Sequence, residues 1–301
     1  MALKIKFVTN DPTQVLERIK KLAVMAMFSD DEFFDHLVLK GGNAMNLVHR
    51  LSTRASVDLD FSMQHDFPEG IEAFRIRVER AQKKTFRQNG FEVFDVKMEE
   101  RPQVISEDMA GFWGGYAVEF KLIQSDLFNK YSSDLDELRK RALSLGQGKK
   151  FLIDISRFEY TLGKQEVDLD GYRIFVYSPE MIVCEKLRAI CQQMPEYGPF
   201  IKRGRDGSAR ARDFVDIHVL VDTLSLDISS EKNKGILSEM FKMKRVPLEF
   251  LGLMENYRDF HKADFQSVIA TVRPEVKLKD FDFYFDFTLA LVQELKPLWN
   301  I

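Results

Sequence analysis

"LVLKGGNAMNLVHRLSTRASVDLDFSM", residues 37–63, holds the order of elements on which the fold turns. Leu37, Val38 and Leu39 read as an apolar strand ending at Lys40 and two glycines; a short helix opens near Asn43, and a second strand, "VDLDF" (57–61), follows. Side chains alternate across a strand, so Val57, Leu59 and Phe61 turn to one face, and Asp58 and Asp60 to the other. Two carboxylates ~6 Å apart repel by roughly 3 kcal/mol at an effective dielectric near 20, a cost that water screens or a divalent cation reverses. A bare D-x-D fits a hydrated acidic strand face as well as a magnesium site. The preceding segment points to the second reading. Gly41 and Gly42 permit close backbone approach, and the helix start offers unpaired N–H groups and a positive dipole end to a phosphate. A triphosphate held there would bring its bridging metals against Asp58 and Asp60.

Around this stretch the hydrophobic period changes once. Asp11 and Pro12 suit the cap and first turn of a helix, and strands are expected near 37–40, 57–62, 91–98, 116–123 and 151–156. Helices are expected over 69–89, stopped by Asn89-Gly90, and over 133–145, stopped by Gly146. From Ser178-Pro179 onward, beginning with "EMIVCEKLRAICQQM" (180–194), the spacing is almost wholly helical. The pattern thus divides an α/β N-terminal domain, 1–177, from a helical C-terminal one, 178–301.

With 301 residues, 45% of them hydrophobic and 30% charged, the chain has the composition of a soluble globular protein with a sizeable core. A net charge of −3 gives no whole-protein attraction to nucleic acid or membrane, so basic surface has to be local. Cys184 and Cys191 fall seven apart in helical apolar spacing and read as core residues. "MALKIKFVTNDPTQ" (1–14) lacks the apolar block of a secretion signal, and no run approaches the ~18 apolar residues of a membrane span. A cytoplasmic protein is expected. The five histidines, at 36, 49, 65, 218 and 261, have no zinc-ligand spacing, and no Walker loop, nucleophile elbow or dinucleotide fingerprint is present.

The glycine pair followed by D-x-D resembles the nucleotidyltransferase superfamily of polymerase-beta type. More narrowly, "LKGGNAMNL" (39–47), "RASVDLDF" (54–61), "IDIS" (153–156) followed by Glu159, "SPEMIVCEKLRAI" (178–190) and "ARDFVDIHVL" (211–220) are similar, in order and rough spacing, to the AbiEii/AbiGii family of toxin nucleotidyltransferases. The resemblance implies an α+β fold: a mixed sheet flanked by helices, then a mainly helical domain that completes the active-site cleft. It implies Asp154 as a third carboxylate and metal ligand beside Asp58 and Asp60, with Glu119 in "YAVEFKL" as the substitute. Lys186 matches a family lysine expected to reach the nucleotide phosphates. Asp213 and Asp216, three apart on a helix, would orient it or form a surface ion-pair cluster. Lys40, Gly41, Gly42, Asn43, Arg54 and Ser56 complete the expected nucleotide site. Asn43 stands where the wider superfamily often has serine, and "HRLSTRAS" (49–56) lengthens the gap between glycines and aspartates.

The activity implied is transfer of a nucleoside monophosphate from an NTP to an acceptor hydroxyl with two Mg2+ ions, by the toxin of a toxin–antitoxin or phage-defence (abortive-infection) system with a partner antitoxin. The acceptor in the resembled family is often RNA, notably the 3′ end of tRNA. The basic segments "KRGRDGSARAR" (202–212), with Lys202, Arg203, Arg205, Arg210 and Arg212, and "RKRA" (139–142) would supply phosphate contacts or simply form solvated faces. Two rivals stay open: an NTP-binding regulatory module without transfer, and kinase-like phosphotransfer to a protein.

Overall fold

The computed structural model describes residues 12–51, 58–144, 148–272 and 276–300. Seven strands form one mixed sheet: β1 (Leu37–Lys40), β2 (Leu59–Met63), β3 (Phe91–Arg101), β4 (Gly115–Gln124), β5 (Phe151–Ser156), β6 (Gln165–Leu169) and β7 (Tyr172–Val176), in the order β3-β4-β5-β2-β1-β7-β6. β1 and β2 pair antiparallel, while β2 with β5 and β1 with β7 pair parallel. The strands read from alternation are therefore present. β5 shows it best, with Phe151, Ile153 and Ile155 buried and Leu152, Asp154 and Ser156 half-buried.

On the apolar face, Leu39, Leu59, Phe61 and Ile153 are fully buried beneath the helices Pro12–Phe28 and Gly70–Gln88. The second of these ends, as expected, against Gly90, whose φ of +84° takes the left-handed turn. The expected 133–145 helix is shorter. It runs Leu135–Arg141, capped by the Asp134 carboxylate on the backbone N–H groups of Asp136 and Glu137, and Gly146 lies outside the described residues.

The β6–β7 hairpin is absent from the sequence reading. Its turn is Asp170-Gly171, with φ of +51° and +87°, the Asp-Gly pair that a two-residue hairpin of this hand favours. That signal stands in "VDLDGYRIFV" (167–176). Charged residues on the outward face of β6 hid the strand from an apolar alternation test.

After Val176 the described elements are helical. Pro179–Cys191 starts where Ser178 caps the Met181 N–H at 3.3 Å, with Pro179 in the first turn. It packs against Ala211–Leu224 and Glu231–Met243. One continuous apolar core extends from Ile19 to Leu295 and joins the sheet to these helices. Both cysteines are free and buried within it, and no helix among the described residues is long and apolar enough to cross a membrane.

Candidate active site

The sheet face opposite the two covering helices carries a polar row. Lys40 of β1 lies in register with Asp60 of β2, and Asp60 with Asp154 of β5, so three charged side chains stand side by side across three central strands. Ser156, one step along β5, accepts from Lys40 Nζ at 3.0 Å.

Gly41 sits against this row. Its φ is +68°, and a Cβ built on it would lie 2.8 Å from Asp60 Oδ2. No other residue fits there without moving the carboxylate. The helical turn begins at Gly41 itself, two residues ahead of the expected start at Asn43, and continues through a π-helical stretch, Ala44–Val48. Asn43 is fully buried, and its Nδ2 donates to the Asp58 carbonyl. The amide thus fixes the backbone that leads into the aspartates, a task that the shorter serine hydroxyl would not reach. Arg54 and Ser56 lie outside the described residues.

Burial pushes the Asp60 carboxyl up; Lys40 opposes it, Asp154, Glu185 and Asp58 add to it, and the group reaches about 6. Burial also raises Asp154, against Arg101, whose Nη1 is 3.5 Å away. Asp58 is exposed just ahead of β2, and partial burial still raises its carboxyl against the pull of Arg212 and Lys20. Glu119 is not interchangeable with Asp154: it stands one strand further from Asp60 and pairs with Lys150 at 2.6 Å.

Among the described residues no three His, Cys, Asp or Glu side chains converge as a preformed metal cage. Magnesium does not require one, since it is bound through one or two carboxylates while phosphates and waters complete its shell. Desolvated, mutually repelling oxygen donors beside a glycine with no room for a Cβ fit such an ion.

Across a cavity of about 240 Å³ from Gly41, Gly42 and Asp60 stands Lys186. Its Nζ donates to Asp213 Oδ1 and Asp216 Oδ2, both at 2.8 Å, and all three residues are buried. Arg210 Nε also donates to Asp213. Burial would raise the Asp213 carboxyl, but Arg210 and Lys186 outweigh it and hold it well below the usual range. The alternative of a surface ion-pair cluster is thereby removed.

Lys40, Ser156, Glu185 and Arg210 also line an adjoining cavity of about 440 Å³ over Asp154. In its wall Glu159 takes three cations, Lys244 at 3.3 Å, Arg188 at 3.4 Å and Lys40 at 3.5 Å. Burial would raise Glu159, but these cations bring it down to about 2. Lys244, itself lowered to about 8 by burial, also donates to the carbonyls of Phe112 and Arg157. His261, fully buried and lowered to about 4 by desolvation, accepts the Arg210 backbone N–H on Nδ1 at 3.1 Å. Arg101, Arg188, Lys244 and His261 were not singled out in the sequence, and no local pattern marks the last two.

The basic segments separate. Arg139, Lys140 and Arg141 all pair with carboxylates of Asp95, Asp136 or Glu137 beside the far sheet edge. Arg210 and Arg212 reach the glycine cavity, whereas Lys202, Arg203 and Arg205 line a third.

No curated protein matches the chain. Among solved structures, a putative nucleotidyltransferase from H. pylori has 14% identity and a TM-score of 0.47, covering 97% of this chain and 98% of its own. JHP933 from Helicobacter pylori has 16% identity and a TM-score of 0.42, with 97% and 94% covered. Residues 23–287 match the family described as "Nucleotidyl transferase AbiEii toxin, Type IV TA system". With most of its length matched, the chain belongs to this AbiEii family of nucleotidyltransferase toxins.

Proposed function

We propose that the chain transfers a nucleoside monophosphate from an NTP to the 3′ hydroxyl of an RNA, tRNA being the expected case, and that an antitoxin counters it. The observation that carries this reading is the register of Lys40, Asp60 and Asp154 beside Gly41, faced across one cavity by Lys186. Residues 1–177 form the catalytic domain, and 178–301 complete the cleft.

Gly41 and Gly42 admit the triphosphate tail, Lys40 and Lys186 answer its charge, and Asn43 holds the backbone of Asp58 in position. Asp58, Asp60 and Asp154 would hold Mg2+, which when bound would neutralise charge on the phosphates and lower the pKa of the acceptor hydroxyl. Asp154, with its raised pKa, takes the hydroxyl proton as the acceptor oxygen bonds to the α-phosphorus; the bond from phosphorus to the α,β-bridging oxygen breaks, and pyrophosphate leaves. Asp213 and Asp216 orient Lys186, and Arg54 and Ser56 complete the nucleotide site.

The test is incubation with magnesium, each of the four α-labelled NTPs and total RNA, beside Asp60→Asn and Asp154→Asn. Label entering RNA with the native chain and not with the variants is the expected result. Transfer of γ-label to protein, or nucleotide binding without any product, overturns it in favour of a kinase-like or regulatory role.

A further inference from the structure

The cleft does not end at Asp154. Pro102, Trp113, Gln192 and Gln193, which wall the 440 Å³ cavity, also wall a third one of about 590 Å³, so the two cavities adjoin at Trp113. Two loops bound this outer trench, 102–114 between β3 and β4, and 202–210 ahead of the Ala211–Leu224 helix.

Its wall is mixed, with an apolar strip set among polar and charged groups. Val104 is 86% exposed, and Met109, Trp113 and Ile201 line the interior beside it. Its cations are unevenly neutralised. Lys202 pairs across the mouth with Asp108 at 2.8 Å. The Arg203 guanidinium donates to the carbonyls of Gln192, Gln193 and Met194 and pairs with no carboxylate among the described residues. Arg205 is exposed and makes no hydrogen bond or ion pair among the described residues. Asp206 is the one acidic side chain lining the trench among those residues. Exposed apolar surface beside uncancelled guanidinium groups suits a ligand with flat apolar faces joined by anionic links, which is the chemistry of an unpaired polynucleotide.

We propose that this trench binds the last unpaired nucleotides of the acceptor RNA. Bases lie against Trp113 and Val104, phosphates against Arg203 and Arg205, and the terminal hydroxyl passes Arg101 to reach Asp154. The inference rests on the transferase reading above and adds the route by which the acceptor enters.

The double variant Val104→Asp/Arg205→Glu alters two exposed side chains and leaves the triphosphate cavity intact. Anisotropy with a fluorescent single-stranded oligoribonucleotide of about 8 nucleotides, within the usual span of such sites, reads acceptor binding, and a parallel titration reads NTP binding. Acceptor affinity is expected to fall at least ~10-fold, with a shallower salt dependence, while NTP affinity stays within about twofold. An oligonucleotide with 4-thiouridine at its 3′ end is expected to cross-link to 102–114 or 192–208. Unchanged acceptor affinity in the double variant, or cross-links elsewhere, overturns the trench while native transfer to RNA still stands. If the native chain labels no RNA at all, the transferase reading itself fails, and labelling of a protein in place of RNA overturns both.

Discussion

Two aspartate pairs face one cleft and have opposite electrostatic surroundings. On the helix Ala211–Leu224, Asp213 and Asp216 enclose the Lys186 ammonium, and Asp213 is held far below its ordinary pKa despite complete burial. On the sheet, Asp60 and Asp154 stand in register among further acids, and Asp60 is pushed up to about 6. The same residue type is thus used once with its counter-ion built in and once with negative charge left over. The helix pair is structure, and its Asp213 also lines the site. The sheet pair is a charge deficit that a cation bound with the nucleotide would fill.

Removing the built-in cation is the strongest way to break this contrast. Lys186→Met leaves two buried carboxylates facing one another, and urea denaturation is expected to show a loss of about 3–5 kcal/mol. A change under about 1 kcal/mol would mean that the helix pair is as loosely held as the sheet pair.

The sheet pair responds with the opposite sign. Because the folded Asp60 pKa of about 6 lies above its unfolded value of 3.8, its contribution to stability is full below 3.8 and is lost as pH rises through 6. In metal-free buffer, Asp60→Asn is therefore expected to be more stable than the native chain by about 3 kcal/mol at pH 8 and no more stable at pH 3.5. The same variant is expected to abolish transfer. Thermal melts at the two pH values test the sign, and a native chain that is the more stable at pH 8 would refute it. Glu159, lowered from 4.5 to about 2, runs the other way: its contribution is present above 4.5 and lost as pH falls through 2.

Two smaller effects sharpen the comparison. Gly41→Ala meets both a φ of +68° and the Asp60 carboxylate at 2.8 Å, so about 1–2 kcal/mol of stability and most NTP affinity are expected to go. Asn43→Ser removes one buried hydrogen bond to the Asp58 carbonyl, worth about 1 kcal/mol in denaturation midpoint analysis. Native-like stability in Asn43→Ser would mean that the amide does not brace the strand.

What could be read in advance was what repeats along the chain. Alternation revealed the central strands, helical spacing revealed the turn into Ser178-Pro179, and i,i+3 spacing put Asp213 and Asp216 on one side of a helix. The β6–β7 hairpin escaped because its outward residues are charged, although Asp170-Gly171 announced the turn. Glu119 and Asp154 looked equivalent since each is an acid between apolar neighbours; only strand order separates them. The cations around Glu159 come from β1 and two different helical segments, at separations of 29 to 119 residues, and nothing local could signal that convergence.

Lys244 and His261 stand beyond the last recognisable motif, yet one completes the cation set around Glu159 and the other fixes the backbone of Arg210. A shortened product that keeps every motif but stops before residue 244 would lose both braces and leave hydrophobic helix faces bare. A nonsense or frameshift lesion between the last motif and codon 244 is therefore expected to disarm the toxin, and genetic screens for survivors are expected to recover such truncations alongside changes at the aspartates.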